Sequence, residues 1–502
     1  MGSTHSIELS PLTGDTTRMT LLKKALIYLC ILSLLSSPTH ALNIELPELG
    51  NSANRLMTPK QERQLGQAFM RSVRRNQAVL TDLILSDYIQ ELGQRLVKHS
   101  DAAGQDFHFF LIDNPQINAF AGPAGHIGVY TGLIATTETE SELAAVVAHE
   151  IAHVSQQHLF RAWETAQNMA IPNAAVLIAA IALGVAVGGD AGVAAAAGGQ
   201  AAILQEQINF TRANEQEADR VGIDVLAESG FSPNAMPAFF SRMGKANRVY
   251  DSKLPEFLMT HPVSTNRTAE SIDLASRYPY IQNEDSLRYH LVKSRLRVDA
   301  AINHEQHLVA LNGQLKDGRL RLRDAKLYEK ALTLLKLKRY KEAQTLLRDL
   351  IKKHPDTVDF VVTLSQLDAQ LGDPTIAFAR LDTALQQKPL NIALNTVRSD
   401  MAMKLKRWNE VIDTIERLVE LEVKTPSLFS LLSRAYGESG HVVTAHRYKA
   451  EAFYLNGQLE EAIAQLDIAM NQPRLSFYEN ALIDSRRKLF KAEKRALDDQ
   501  IR

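Results

Sequence analysis

His149-Glu150-Ile151-Ala152-His153 continues the apolar run Leu143-Ala144-Ala145-Val146-Val147-Ala148, and the rest of the chain can be read outward from it. The apolar neighbours place this stretch on a buried helix, where His, Glu and His all need a partner. On a helix of about 3.6 residues per turn, residues four apart differ by roughly 40° around the axis, so both imidazoles face one point. The carboxylate beside the first imidazole can reach a water held at that point. The spacing therefore predicts a zinc helix with His149 and His153 as metal ligands and Glu150 as general base.

Two imidazoles do not complete such a site, because a catalytic zinc takes three protein groups and keeps one position open. His158 comes next along the chain. On one continuous helix from about Glu140 to Phe160 it lies about half a turn out of phase with His149 and points away. Gln156 and Leu159 stand where an extended pattern would need glycine and histidine. The third ligand must come from elsewhere. Thr211-Arg212-Ala213-Asn214-Glu215-Gln216-Glu217-Ala218-Asp219-Arg220 reads as a helix running to about Ser229, before Gly230. Glu215 and Asp219 share a face at i, i+4, so Glu215 can ligate while Asp219 accepts the outer N–H of a ligand histidine. Glu217 is rotated about 200° from Glu215, so only one of the two can point at the metal.

Upstream, Thr58-Pro59 opens a helix to about Arg75, with Thr58 as N-cap. Asp82 to His99 is a second helix with Leu83, Leu85, Tyr88, Ile89, Leu92 and Leu96 on its stripe. Phe107 to Ile112 is strand-like. Asn118-Ala119-Phe120-Ala121 and His126-Ile127-Gly128-Val129-Tyr130-Thr131 flank Gly122-Pro123-Ala124-Gly125 as a hairpin, whose edge could take an extended peptide as an added strand.

At the N-terminus, Lys23-Lys24, the apolar run Ala25 to Leu35 and Ser36-Ser37-Pro38-Thr39-His40-Ala41 have the order of a cleaved export signal. Residues before Met19 read as an upstream extension. The single cysteine, Cys30, lies in the apolar part of that signal, so the exported chain has no thiol for disulfides or metal. The 502 residues carry 56 basic and 57 acidic side chains, which gives no global charge that would favour nucleic acid. Residues 169–202 are apolar and rich in Ala and Gly; they read as a pair of small-residue helices, mobile or lying against a membrane or partner, in preference to a membrane span.

The C-terminal half is repetitive. Ala343, Ala377, Val411 and Ala445 recur every 34 residues by subtraction, and Pro355 and Pro389 share that interval, which is the tetratricopeptide period. Such solenoids offer a concave surface to peptides or partner proteins. Lys- and Arg-rich sequence from about Phe477 to Leu497 caps the array.

His149-Glu150-x-x-His153 with Glu215-x-x-x-Asp219 resembles the gluzincin family of metallopeptidases that includes membrane CAAX prenyl endopeptidases and the bacterial heat-shock membrane protease. Arg212 matches the same motif. Asn118-Ala119-Phe120-Ala121 with Thr131-Gly132-Leu133-Ile134 matches the family's substrate edge. The order of signal, peptidase and repeats resembles its periplasmic, repeat-bearing branch. The resemblance implies zinc on His149, His153 and Glu215, with Glu150 as base. It also implies that His261, in Thr260-His261-Pro262, can fill the open zinc position as a latch. His261 and Arg267 are the candidate oxyanion partners.

The expected fold is mainly α: a zincin-like metallopeptidase domain with a small β-sheet, followed by an α-solenoid of tetratricopeptide repeats. The expected divisions are a signal peptide (1–41), a linker (42–57), the peptidase (58–277), a helical linker (278–318) and the repeats (319–502). The expected activity is that of a periplasmic zinc endopeptidase acting on unfolded or misfolded exported proteins. The resemblance adds outer-membrane β-barrel proteins and their assembly machinery as substrates or partners. The competing expectation is a chaperone or scaffold that works through the repeats while the metal site is latent.

Overall fold

The computed structural model describes residues 58–168, 201–249, 256–280, 284–316, 322–473 and 475–501. The expected signal peptide, the linker 42–57 and nearly all of the apolar segment 169–202 lie outside the described residues.

Helix α1 (Pro59–Asn76) starts as its sequence dictates. The Thr58 side chain accepts from the Gln61 amide and the Gln61 side chain accepts from the Thr58 amide, a reciprocal cap that satisfies two otherwise orphaned donors. Asp82 caps α2 (Leu83–Val97) by accepting from the Ile84 and Leu85 amides. Leu85, Tyr88, Ile89, Leu92 and Leu96 of α2 are buried in the peptidase core.

Strands β1 (His108–Ile112), β2 (Ala119–Ala121) and β3 (His126–Tyr130) form one sheet in the order β1-β3-β2. β1 runs parallel to β3, with His108 opposite His126, and β2 runs antiparallel to β3, with Ala119 opposite Val129. The β2–β3 turn passes through Gly125 at φ 70°, where a Cβ would lie 2.1 Å from the Asp106 carbonyl oxygen. Only glycine fits there.

After the short α3 (Thr131–Thr136), α4 (Glu140–Ser155) carries the metal motif through the centre of the core and is buried from Glu140 to Ala152. It ends five residues before the expected Phe160, since 160 − 155 = 5. Gln157 adopts φ 55° and α5 (His158–Asn168) starts in a new direction. α6 (Ala201–Glu228) lies along α4. Where they pack, a Cβ on Gly222 would be 3.2 Å from the His149 amide nitrogen. Glycine there lets the acidic helix approach the histidine helix. α7 (Ala235–Val249), α8 (Glu256–Thr260) and α9 (Thr265–Ser276) close the peptidase.

The polar stretch 278–318 holds α10 (Leu287–Ala300) and α11 (His304–Lys316). Four helix pairs follow: α12 (Arg323–Lys336) with α13 (Tyr340–Lys353), α14 (Val358–Gln370) with α15 (Pro374–Gln387), α16 (Ile392–Lys404) with α17 (Trp408–Glu420), and α18 (Pro426–Glu438) with α19 (Val442–Leu455). Ala343, Ala377, Val411 and Ala445 are buried at matching places on α13, α15, α17 and α19. α20 (Leu459–Met470) and α21 (Phe477–Ile501) end the array, and Phe490 stacks on Tyr454 with ring centroids 4.2 Å apart. This is the mainly α fold with a small sheet and a repeat solenoid that the periodicities predict. Among the described residues no helix is long and apolar enough to cross a membrane.

Candidate metal centre

α4 and α6 bring the two halves of the motif together. His149 and His153 sit one turn apart, with their Nε2 atoms separated by 3.0 Å. Glu215, one carboxylate oxygen toward each, lies 3.4 Å from His149 Nε2 and 3.3 Å from His153 Nε2. His261 enters from the end of α8, its Nδ1 3.1 Å from Glu215 Oε1 and 3.3 Å from His149 Nε2. Ligand atoms of these four residues all lie within 4.8 Å of one another, and among the described residues they are the one such group.

These spacings test whether a metal fits. A tetrahedral site with bonds of about 2.0–2.1 Å has ligand–ligand edges of roughly 3.3 Å. The measured separations cluster around that edge. The donor set, two or three imidazoles and one carboxylate, is the nitrogen and oxygen chemistry that zinc takes. Glu150 provides a second sign. It is 1% exposed, neither of its oxygens makes a hydrogen bond of normal geometry, and the nearest imidazole atom is His261 Nε2 at 3.5 Å. A buried carboxylate left this way has a duty that the chain alone does not satisfy. Burial pushes the Glu150 carboxyl up, against the pull of His261, His149 and the Ala121 amide. A carboxyl whose neutral form is favoured by burial is the kind of group that takes and returns a proton.

The surrounding groups fix these side chains. Asp219 Oδ1 lies 3.0 Å from His149 Nδ1, on the outer side of that ring. Burial would lower the His149 pKa, but Asp219 and Glu215 raise it to about 10. Burial dominates at His153 and takes it down to about 3. Arg267 is buried and already engaged: Nε and Nη2 each donate to Asp219 at 2.7 Å, Nη1 lies 2.9 Å from Glu215, and Nη1 donates to the Pro262 carbonyl. The sequence reading offered Arg267 as an oxyanion partner, yet its guanidinium holds the two carboxylates of α6.

His158 lies outside the set of four but not far from it. The break at Gln157 turns it back, so its Nδ1 lies 2.7 Å from His153 Nδ1 while its Nε2 contacts Glu217 at 3.2 Å. The continuous helix expected from 140 to 160 would have sent it away. Neither glycine nor proline marks the break, so the sequence carried no signal for it.

Glu150, His153, Glu215 and His261 open into a cleft of about 2060 Å³, whose far wall includes Phe429 and Tyr448 of the repeats. β2 is an edge strand on this cleft, paired on one side only.

Fold and donor set together define a metal-dependent peptidase with an attached repeat array. The chain belongs to peptidase family M48, whose model matches residues 84–273, and a tetratricopeptide repeat model matches 328–392. It is 33% identical over 441 residues to the β-barrel assembly-enhancing protease of Yersinia pestis, covering 88% of this chain and 90% of that one. A putative β-barrel assembly-enhancing protease of Vibrio cholerae is 35% identical over 444 residues, with 88% and 91% covered. The β-barrel assembly-enhancing protease of Escherichia coli K12 is 32% identical over 441 residues, with 88% and 90% covered.

Proposed function

We propose that this metallopeptidase is a periplasmic zinc endopeptidase that cleaves misfolded or stalled substrates during outer-membrane β-barrel assembly. The observation that carries the zinc assignment is the convergence of His149 Nε2, His153 Nε2 and Glu215 at tetrahedral-edge separations beside the buried Glu150 carboxylate. Zinc, when bound, supplies a Lewis acid for the scissile carbonyl and acidifies water. His149, His153 and Glu215 hold it, and Asp219 keeps the outer nitrogen of His149 occupied. Glu150 takes the proton of the attacking water at its carboxylate, stabilised in its neutral form by burial, and delivers it to the leaving amine. The open edge of β2 aligns an extended chain by strand addition, which selects unfolded segments over folded ones.

Export and the assembly role rest on the signal-like N-terminus and on the names of the relatives matched over most of their length. The repeats dock the partner proteins, and the β-barrel assembly machinery is the partner those names point to. His261 fills the fourth position as a latch that substrate must displace.

Glu150→Gln tests this reading, because it removes the base while leaving the zinc donors in place. Cleavage of an unfolded outer-membrane protein should fall by about three orders of magnitude or more, as expected for loss of an essential proton carrier, with zinc content unchanged. A variant that cleaves normally, or that rescues every phenotype of a deletion, would favour the repeat-based scaffold instead.

A further inference from the structure

We infer that His158 and Glu217 are a positioning pair that fixes the tautomer of His153, doing for the second imidazole what Asp219 does for the first. The inference rests on reading His149, His153 and Glu215 as the metal ligands.

The proton order follows from the partners. Glu217 is an ionised carboxylate that also receives Arg161 Nη2 at 2.6 Å, so it can only accept. His158 Nε2, 3.2 Å from Glu217 Oε2, must therefore carry the hydrogen. A neutral imidazole protonated at Nε2 has its lone pair on Nδ1. His153 Nδ1, 2.7 Å away, must then be the donor in the ring-to-ring bond. That leaves the lone pair of His153 on Nε2, the atom facing Glu215 and His149. Glu217 thus sets, two hydrogen bonds away, which nitrogen of His153 is free to ligate.

The local backbone is arranged for this contact. Gln157 takes φ 55°, a left-handed conformation that strains a non-glycine residue, and the turn it makes brings His158 under His153. His158 is 5% exposed, and both of its ring nitrogens are committed to the neighbours named. An apolar side chain would fill the same volume without a lone pair aimed at His153. Glu217, rotated away from Glu215 on α6, has this second task and not a share in the metal.

The test uses the full chain and reads zinc affinity by chelator competition, with the visible spectrum of the cobalt-substituted protein as a signature of ligand geometry. Circular dichroism of the metal-free protein checks folding. His158→Ala should weaken zinc binding about 10–100-fold, the usual cost of losing an outer partner of a ligand histidine. His158→Asn should restore affinity to within about threefold, because its Oδ1 falls where Nδ1 was and accepts from His153. His158→Gln places its oxygen near the former Nε2 and should not rescue. Glu217→Ala should weaken zinc binding about tenfold in the parent chain and have no effect in the His158→Asn background, whose acceptor needs no tautomer set. The inference is overturned if His158→Ala binds zinc like the parent, or if Ala, Asn and Gln weaken it equally. A parent chain that binds no zinc, or a His153→Ala variant that binds it undiminished, would overturn the metal-site reading and this inference with it.

Discussion

At the scale of single residues, the site is a charge balance in which the buried carboxylates of α6 have named counterparts. Glu215 and Asp219 are 4% and 3% exposed, and two carboxylates so buried need compensation. Arg267 supplies it with a planar fork that lysine cannot reproduce. His261 is different, because its imidazole lies against Glu215 and His149 although the other three donors suffice for a catalytic metal. If it closes the site in more than about 90% of molecules, its removal should raise substrate access about tenfold. His261→Ala is therefore expected to cleave an unfolded exported substrate about tenfold faster while keeping its zinc. Steady-state cleavage with zinc analysis checks this, and unchanged or slower cleavage at full zinc occupancy would rule out the latch. The convergence of these side chains was legible in the sequence, because helical geometry aligns His149 with His153 and Glu215 with Asp219. The role of Arg267 was not, because it depends on how α9 docks against α6, and no local spacing encodes that.

At the scale of elements, periodic features were readable and backbone breaks were not. The 34-residue interval located the repeats, and the same interval recurs in the backbone itself. Lys338, Gly372, Lys406 and Gly440 each take a left-handed conformation at the turn within a helix pair, 34 residues apart by subtraction. The residue after each donates back across the helix end: Arg339 to the Leu334 carbonyl, Asp373 to Asp368, Arg407 to Ala402 and His441 to Tyr436, at 2.8–2.9 Å. Glycine occupies two of these positions at no steric cost, and lysine strains the other two. Lys406→Gly should relieve about 1–2 kcal/mol of strain and lose part of it to the greater entropy of unfolded glycine, for a net gain of about 0.5–1 kcal/mol. Gly372→Ala should move stability the other way by about 1 kcal/mol. Urea denaturation of both variants decides it, and a Lys406→Gly protein less stable than its parent would refute the strain argument. The break at Gln157 uses the same left-handed backbone, at φ 55°, without glycine or repetition to mark it. Periodicity alone therefore runs the His149–His153 helix on to Phe160.

At the scale of the whole molecule, the stretch 278–318, expected as a helical linker, holds α10 and α11, and described residues of the peptidase and the repeats also touch directly. Ile84 of α2 is buried among Val358, Val361 and Val397 of the repeats, while the next residues of the same helix face the peptidase core. Arg71 pairs with Glu493 at 2.5 Å and lies over the Tyr454 ring. Such contacts join residues hundreds of positions apart, so no local pattern could announce them. The central one is Arg288 on α10, which binds Asp87 and Glu91 of α2 and, at 3.1 Å, Asp359 of α14. Asp359 is 0% exposed; burial pushes its carboxyl up and Arg288 pulls it back. Arg288→Ala would leave that carboxylate buried without its cation, a loss of about 3–5 kcal/mol at neutral pH. The loss should depend on pH in a set direction. Without Arg288 the folded-state pKa of Asp359 rises further above its unfolded value of about 3.9, so the destabilisation is absent below that value and grows as pH climbs toward the folded one. The stability gap between parent and variant should therefore be smaller at about pH 4.5 than at about pH 7.5, and Arg288→Ala with Asp359→Asn should narrow it at both. Denaturation midpoints of the three proteins at the two pH values measure this. An equal gap at both would mean that Arg288 acts through packing alone and that the junction is not held by charge.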